Sequence, residues 1–242
     1  MEKIKLNTFI AKYTLGGNVQ SVAWEFTDNN LITNFISDDK SLIGSVKLTS
    51  VNKPPIKFGV YNTKLLNKMI SVLSDTIEID VDYTDNTPTN IKIYDESTSV
   101  SFMLADLSVI PIVPILKKTP EFQLSIALTK EFSDSFIKAK DALSDTETFT
   151  IIQEGSTSKF KVIVGQIGSS TNKIQLNIDA NITEDNNFTS MTFSSKYLKE
   201  ILSSNKEFNN GTLNISLDGL AEIKFVNSDF ECKYYLIELN TN

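Results

Sequence analysis

The sequence contains an internal repeat, which limits the folds that the chain can adopt. Residues 62–70 read like residues 194–202, and residues 100–107 read like residues 232–239, both at an offset of 132 positions. Internal similarity at one long period is typical of duplicated units. The sequence therefore predicts two copies of one domain.

A second pair of segments and the chain length agree with a duplication. Residues 76–79 correspond to residues 212–215 at an offset of 136 positions, so a short length difference opens between the repeated blocks and closes again. The chain has 242 residues, and 40% of them are hydrophobic. Two domains of about 120 residues lie near the most common domain size, so each can bury a core of its own.

Two residue types that many active sites need are absent. All 23 basic residues are Lys, and the chain contains neither Arg nor His. Chemistry that requires an imidazole base, an imidazole metal ligand or an Arg clamp on a phosphoryl group is therefore excluded within this chain. We expect a protein that is not an enzyme and that uses no cofactor.

The net charge and the lengths of the apolar segments indicate which partners the protein can bind and in which cellular compartment it acts. The net charge of −7 disfavours general affinity for nucleic acid, so any DNA contact has to come from local clusters of lysines. Cys232 lies in an alternating apolar pattern without a second cysteine, and we interpret it as a small buried residue. No apolar run resembles a signal peptide, and the longest one, 109–116, is too short to span a bilayer. The sequence predicts a cytoplasmic protein without a membrane partner.

Apolar spacing predicts helices that are each followed by strands. Within residues 3–15, apolar residues recur at i, i+3, i+4 and i+7, and Gly16 with Gly17 supplies a stop. Further helices are predicted over 62–73, 129–143 and 194–203, with Asn62 and Thr129 as candidate N-caps. Alternating apolar runs after each helix predict strands. The order predicts an α+β fold in which each domain has two helices on one side of antiparallel sheets.

A proline-rich connector separates the two halves. Residues 108–121 contain Pro111, Pro114 and Pro120, which disfavour both a helix and a central strand. The same segment is apolar, so an extended strip that docks a partner is plausible. The predicted domains are 1–107 and 122–242, with the connector 108–121 between them.

This arrangement resembles a DNA sliding clamp, the processivity factor that holds a replicative polymerase on its template, and the T-even phage type in particular. The resemblance rests on the strand-to-helix junction at 61–66, the strand at 91–93, the connector after Leu107, and a terminal strand at 233–236 that is similar to the closing strand of proliferating cell nuclear antigen. The resemblance covers almost the whole chain, and the main support for it is the repeat pattern.

The resemblance implies a closed ring of six such domains, with sheets outside and helices lining a hole wide enough for duplex DNA. Two domains per chain then imply a homotrimer. Such a ring would encircle DNA without reading its sequence, tether a DNA polymerase and other partners, and depend on a clamp loader. If the chain is phage-encoded, it would act in the host cell cytoplasm.

Lysines on the predicted helices are the candidates for DNA contact. A ring that topology holds on DNA needs only weak attraction to phosphates, and a flexible ammonium group supplies it without fixing one geometry. The candidates are Lys12, Lys64, Lys68, Lys130, Lys138, Lys140, Lys196 and Lys199. Lys130 and Lys140 have acidic neighbours that compete for them. The alternative is that each of these lysines is merely solvated.

The resemblance also implies an apolar pocket beside the connector that receives short peptides from polymerases and clamp loaders. The candidate lining residues are Ile110, Val113, Ile115, Leu116, Tyr235 and Ile237. The alternative is that Tyr235 and Ile237 are core residues and that the connector only fastens the two domains together. By the same resemblance, we expect subunit contacts at edge strands near 99–106 and 171–178.

One acidic cluster could be read as a metal site, and two functions other than a sliding clamp are considered. Glu78, Asp80 and Asp82 alternate along one predicted strand and share a face, but three carboxylates without a buried partner favour a solvated strand face, so we predict no metal site. A duplicated β-rich structural or virion protein, in which the lysines have no role, stays open. A carboxylate-dependent hydrolase is disfavoured because the chain lacks His and any clustered motif.

Overall fold

The computed structural model divides the chain into two compact units. It describes residues 1–116, 118–153, 159–165, 167, 171–182 and 188–239. Unit 1 consists of residues 1–114 with residues 227–232, and unit 2 consists of residues 115–226 with residues 233–242. Among the described residues, none of the helices combines the length and the apolar character that crossing a membrane requires.

Unit 1 has the predicted alternation of helices and strands. Its elements are α1 (Lys3–Thr14), β1 (Val22–Thr27), β2 (Asn30–Ile36), β3 (Leu42–Thr49), β4 (Ile56–Val60), α2 (Thr63–Ile70), β5 (Glu78–Thr84), β6 (Thr87–Tyr94) and β7 (Ser99–Met103). One sheet contains the strands in the order β3-β2-β1-β4, and another has the order β5-β6-β7. The strand pairs are antiparallel, as predicted.

The core of unit 1 is aromatic where α1 packs on the first sheet. The Phe9 and Trp24 ring centroids are 5.6 Å apart in an edge-to-face arrangement, and both side chains are fully buried. The Trp24 indole N–H donates to the Tyr13 hydroxyl at 3.2 Å, and the Tyr13 hydroxyl donates to the Thr63 Oγ1 at 3.2 Å. Since a buried indole or phenol needs a hydrogen-bond partner, this chain of bonds fixes α1 against the start of α2.

Unit 2 repeats the pattern with additional strands. Its elements are β8 (Leu124–Thr129), α3 (Lys130–Ala142), β9 (Thr148–Gln153), β10 (Lys159–Val164), β11 (Ile174–Asp179), β12 (Asn181–Ile182), β13 (Ser190–Ser194), α4 (Ser195–Ser204), β14 (Asn210–Ser216), β15 (Leu220–Val226) and β16 (Phe230–Ile237). One sheet has the order β11-β10-β9-β13, and the other contains β12-β8-β14-β15-β16. The short strand β12 was not predicted from the sequence.

Side-chain caps begin three of the helices. The Asn62 Oδ1 accepts the Leu65 N–H at 2.9 Å, and the Thr129 Oγ1 accepts the Phe132 N–H at 3.2 Å, so both predicted caps are confirmed. The Ser194 Oγ accepts the Tyr197 N–H at 3.4 Å. At the other end of α1, the backbone becomes left-handed at Leu15, with a φ of 47°, and this conformation ends the helix one residue before the predicted glycine stop. Gly16 follows with a φ of 67°, which glycine adopts at low cost.

The boundary between the units differs from a simple division of the sequence. The chain passes from unit 1 to unit 2 between Pro114 and Ile115, inside the predicted connector. Residues 227–232, which we expected in the second domain, belong to unit 1. The Thr49 N–H donates to the Asp229 carbonyl at 2.9 Å, and the Lys5 ammonium pairs with the Asp229 carboxylate at 2.8 Å. A hairpin turn near the C-terminus therefore completes the first unit.

Candidate nucleic-acid interface and partner-binding strip

Helices pack in pairs within each unit, and this pairing places the candidate lysines. In unit 1, α1 contacts α2, and in unit 2, α3 contacts α4. An ion pair of 2.5 Å between the Lys199 ammonium and the Asp141 carboxylate links α4 to α3. Each unit thus has a two-helix layer.

The lysines of α2 lie on its open face. Leu66 and Ile70 are fully buried, whereas Lys64 and Lys68, four residues apart, are exposed. Side chains at i and i+4 lie on the same side of a helix, so these two ammonium groups form a short cationic row. Leu65, beside this row, is 42% exposed.

The lysines of α3 and α4 are open to different degrees. Lys130, Lys138 and Lys196 are exposed. The Lys196 ammonium lies 5.4 Å from the centroid of the Tyr197 ring, and the Lys199 ammonium is held by Asp141. The hydrogen bond with Asp141 raises the pKa of Lys199, so this group stays charged at neutral pH. The two helices therefore carry cations that are partly balanced by an acidic neighbour.

Two of the eight candidate lysines do not lie where the sequence placed them. Lys12 is 0% exposed, and its ammonium lies over the Phe230 ring at 5.1 Å from the centroid, because residues 227–232 fold onto unit 1. Lys140 is 8% exposed, and its ammonium donates to the Ser144 carbonyl just beyond the end of α3. The expectation that both lysines project from an open helix face is wrong.

The remaining lysines of α1 are also engaged within unit 1. The Lys3 ammonium donates to the Leu73 carbonyl, and the Lys5 ammonium pairs with Asp229. The expected recurrence of open lysines on every helix therefore does not extend to α1. Of the residues that the structure describes, the open candidates lie on α2, α3 and α4.

The connector begins with a capped turn and then runs without regular structure. The Asp106 carboxylate accepts the Ser108 N–H at 2.7 Å, which lowers the pKa of Asp106 and starts a short 3-10 turn at Leu107–Val109. In the described part of the chain after this turn, the next strand begins at Leu124. This agrees with the effect expected of the three prolines.

The residues predicted to line a partner pocket differ in their exposure. Ile110 is 7% exposed, and a Cβ added at Gly59 would lie 2.9 Å from the Ile110 side chain, so Ile110 packs within unit 1 and the expectation that it lines an open pocket is wrong. Ile115 is 88% exposed, and Leu116 and Ile237 are partly exposed. Val113 and Tyr235 are half-buried.

A polar network in unit 2 holds Tyr235. Its hydroxyl donates to the Glu222 Oε2 at 3.0 Å, and the Lys224 ammonium lies 2.6 Å from the Glu222 Oε1. Asn214 also donates to Glu222, and it accepts from Ser125 at 2.8 Å. Glu222 is 1% exposed, and burial followed by the charge of Glu222 raises the pKa of Tyr235 to about 12.

Sequence reasoning missed this network because its members come from four strands. Asn214 lies opposite both Ser125 and Glu222 in the sheet register. An acidic residue inside an apolar strand was the available signal, since a buried carboxylate requires hydrogen-bond donors and a cation nearby.

The acidic row on β5 faces solvent, as we interpreted it. Glu78, Asp80 and Asp82 are exposed, and the Tyr94 hydroxyl lies 2.9 Å from both Glu78 and Asp80. The hydrogen bond from Tyr94 lowers the pKa of Asp80. Among the described residues, no group of three or more His, Cys, Asp or Glu side chains is arranged to hold a metal ion.

Comparisons with known proteins establish the fold. No protein-family model and no curated protein matches the sequence. Among solved structures, the chain is similar to Proliferating Cellular Nuclear Antigen from Entamoeba histolytica, with a TM-score of 0.74 and 16% identity over 98% of this chain and 96% of that one. It is also similar to the PCNA2-PCNA3 complex from Sulfolobus tokodaii, with a TM-score of 0.73 and 12% identity over 98% of this chain and 97% of that one. The chain therefore has the two-domain fold of the PCNA-type sliding clamps.

Proposed function

We propose that this chain is a DNA sliding clamp, a processivity factor that encircles duplex DNA as a homotrimeric ring and tethers a replicative polymerase. The observation that carries the proposal is the similarity of fold, which extends over 98% of the chain and over nearly all of each clamp chain. A chain that spans the whole clamp architecture has the parts that a ring subunit needs. Two domains per chain suit a trimeric ring, and the proposal keeps the T-even phage type of clamp that the sequence resembles.

The open lysines support sequence-independent DNA contact. Lys64, Lys68, Lys130, Lys138 and Lys196 are exposed on helices, and Lys199 is half-buried on α4, three positions after Lys196. The protein as a whole has a net charge of −7, so a DNA-facing role would have to be confined to these helices. Point charges on flexible stems attract phosphates without fixing one register, which suits a protein that slides.

In the part of the chain that the structure describes, two sheet edges have no further strand beside them and are suited to ring assembly. In unit 1, β7 is the last strand in the order β5-β6-β7, and in unit 2, β11 is the first strand in the order β11-β10-β9-β13. A groove of about 670 Å³ lies beside β11 and is lined by Thr129, Phe132 and residues 175–179. We propose that β7 of one subunit pairs with β11 of the next. One of the similar solved structures is itself a complex of two clamp chains.

The exposed part of the connector would receive partner peptides. Ile112 and Ile115 are 92% and 88% exposed, and an apolar surface of this kind is a common mark of an interaction site. Peptides of a DNA polymerase and of a clamp loader are the proposed ligands, with Leu116, Tyr235 and Ile237 as further contacts. The protein would work as a scaffold without catalysing a reaction, in the cytoplasm of a cell or of a phage host.

Retention on DNA that depends on topology tests the proposal. A duplex is attached to a bead at one end, the protein is threaded over the free end, and that end is then closed with streptavidin. We expect protein to stay bound through a high-salt wash and to leave after a restriction enzyme cuts the duplex. A duplex whose end is closed before the protein is added serves as the control and should retain little.

Sedimentation tests the assembly and separates the clamp from a β-rich structural protein. A clamp should show a concentration-dependent trimer. A monomer at every concentration, together with retention that does not depend on closed ends, would exclude the ring and favour a structural role.

A further inference from the structure

Among the described residues, outer pairing stops at Ile77, immediately before β5 begins at Glu78. The Ile77 N–H donates to the Met1 carbonyl at 2.9 Å, and the Met1 ammonium donates to the Ile77 carbonyl at 2.6 Å. On its inner side, β5 pairs with β6 along its whole length. In the part of the chain that the structure describes, no strand continues the outer pairing from Ile79 onward.

Backbone groups of Ile79 and Val81 point away from β6. Along an antiparallel strand, residues alternate between bonding to one neighbour and bonding to the other. Ile77 bonds outward to Met1, and Ile79 and Val81 follow it at intervals of two residues. Their N–H and C=O groups therefore lie on the outer edge.

The hydrogen bonds between β6 and β7 also show which residues of β5 bond outward. The Leu104 N–H donates to the Thr89 carbonyl at 2.8 Å, so Thr89 bonds toward β7. The alternate residues Asn90 and Lys92 then bond toward β5, where they lie opposite Asp82 and Asp80. This leaves the odd-numbered residues of β5 free to bond outward.

The corresponding edge in unit 2 carries an added strand. Residues 212–215 of β14 correspond to residues 76–79, and β8 pairs with β14 from Asn210 to Ile215. Gln123, the residue immediately before β8, extends this pairing, because its N–H donates to the Ile215 carbonyl at 2.9 Å. The second copy of the domain thus shows that this edge accepts an antiparallel strand, and it does so at Ile215, the counterpart of Ile79.

A groove of about 440 Å³ lies along the uncovered edge, within unit 1. Phe26 and Ile56 provide an apolar surface, Lys53 and Pro54 line it as well, and residues 79–83 form the strand side. The Lys53 ammonium lies 3.4 Å from the Asp80 carboxylate, and both side chains are partly exposed. An exposed ion pair of this kind contributes little to stability, so an incoming strand could displace it.

The two faces of β5 differ in chemistry. Ile79 is 2% exposed and faces the apolar side, whereas Asp80 and Asp82 are exposed on the opposite face. The Tyr94 hydroxyl lowers the pKa of Asp80, so the acidic face keeps its charge. Because side chains of a strand alternate between the two faces, a strand added here would place every second residue beside carboxylates and the others beside apolar side chains.

We propose that this groove binds an extended peptide of alternating apolar and basic residues, which adds to the outer edge of β5 at Ile79 and Val81. Main-chain hydrogen bonds supply the attachment, and the alternating side chains supply the selectivity. The site is separate from the helix lysines and from the connector, so it does not depend on the proposed clamp function.

A labelled synthetic peptide tests the site on the full chain. The probe is an acetylated and amidated peptide of about eight residues that alternates Val and Lys, the length of an ordinary strand. Binding is measured by fluorescence anisotropy, and ¹⁵N chemical-shift changes locate it. We expect changes at residues 79–83, no binding of a peptide that alternates Val and Glu, and loss of binding when the Val amides of the probe are N-methylated.

Protein variants separate charge from backbone pairing. Asp80→Asn with Asp82→Asn should weaken binding about tenfold, since two exposed ion pairs are lost. The matched control, Asp38→Asn with Glu96→Gln, removes two exposed acids of the same unit and should change binding less than about twofold. Val81→Pro removes an outward N–H without removing a bond to β6 and should abolish binding, as edge strands tolerate proline.

Several outcomes would overturn the proposal. They are failure of the Val-Lys peptide to bind, equal binding of the Val-Glu or the N-methylated peptide, or shift changes confined to residues outside the groove. Equal weakening by the acidic pair and by its control would show that the peptide senses only the net charge of the protein. The N-methylated peptide tests pairing with the strand edge without altering the protein. The experiment therefore stays decisive even if the Val81→Pro variant fails to fold.

Discussion

The ammonium of Lys12 lies 5.1 Å from the centroid of the Phe230 ring, inside unit 1. The two residues are far apart in the sequence, and Lys12 is 0% exposed at a position where helical spacing predicted a polar surface. A cation held against an aromatic face in a desolvated place contributes about 2 kcal/mol. The contact marks Lys12 as a residue that joins the end of the chain to its first helix.

Replacing Lys12 should affect stability and leave DNA contact unchanged. Lys12→Ala removes a buried stem and should lower the free energy of unfolding by about 2–4 kcal/mol, as for other large-to-small buried changes. Lys12→Met keeps most of the volume and should cost less. Urea denaturation measures both effects. Weaker DNA retention by folded Lys12→Met would contradict the buried placement.

Removing open helix lysines should reduce DNA contact without unfolding the protein. The variant replaces Lys64, Lys68, Lys138 and Lys196 by Ala, and the control replaces Lys40, Lys57, Lys92 and Lys118, which are exposed outside the helices. Each lost phosphate contact should lower the slope of log K against log salt by about 0.9. Binding to short duplexes at several salt concentrations checks this. If the control variant lost as much DNA binding, the net charge of the protein would explain the effect, and not the position of the lysines.

Breaking the ion pair between α3 and α4 should release a cation. Asp141→Asn removes the carboxylate at 2.5 Å from the Lys199 ammonium, at a cost of about 0.5 kcal/mol or less for so exposed a pair. Because Asp141 no longer competes with phosphate for the Lys199 ammonium, we expect tighter DNA binding at low salt and no difference at high salt. Asp134→Asn, about two turns earlier on α3, removes the same charge and is the control. Unchanged binding by Asp141→Asn would mean that Lys199 does not reach DNA.

The Tyr235 hydroxyl should titrate near pH 12. Burial and the neighbouring Glu222 raise the pKa of Tyr235 to about 12, so its contribution to stability is complete below its ordinary pKa of 10.0 and is lost as the pH rises toward 12. The chain has 7 tyrosines, and the difference between the absorbance titrations of the original protein and Tyr235→Phe isolates this one. Glu222→Gln should lower the midpoint. A midpoint near 10.0 in the original protein would contradict the combined effect of burial and of Glu222 on the pKa of Tyr235.

Ile110 and Ile115 should behave oppositely although both lie in the connector. Ile110 is 7% exposed, so Ile110→Ala should lower the free energy of unfolding by about 2–4 kcal/mol. Ile115 is 88% exposed, so Ile115→Ala should change it by less than about 0.5 kcal/mol and should instead weaken capture of a polymerase peptide. Thermal unfolding and a peptide-binding assay separate the two effects. Destabilisation by Ile115→Ala equal to that by Ile110→Ala would mean that the whole connector is structural.

The sequence by itself determined the repeat, the order of helices and strands, and the caps at Asn62 and Thr129. Each of these depends on residues that are close in the chain: apolar spacing, a polar side chain one turn ahead of an N–H, and prolines that prevent regular structure. The recurrence of these patterns at a fixed offset predicted two copies of one domain, and the clamp fold was expected from a family resemblance that rested on this repeat.

Only the tertiary structure decided which lysines are open, which connector residues are buried, and where a sheet edge is left uncovered. Lys12 is buried by a turn more than two hundred residues away, Ile110 fits against Gly59, and Tyr235 is held by Glu222 on the neighbouring strand. Helical periodicity gives the direction of a side chain from its own helix, but not which distant segment packs over it. Such long-range contacts form when the chain closes on itself, and they decide whether a charged or apolar side chain belongs to a core or to a surface that a partner can reach.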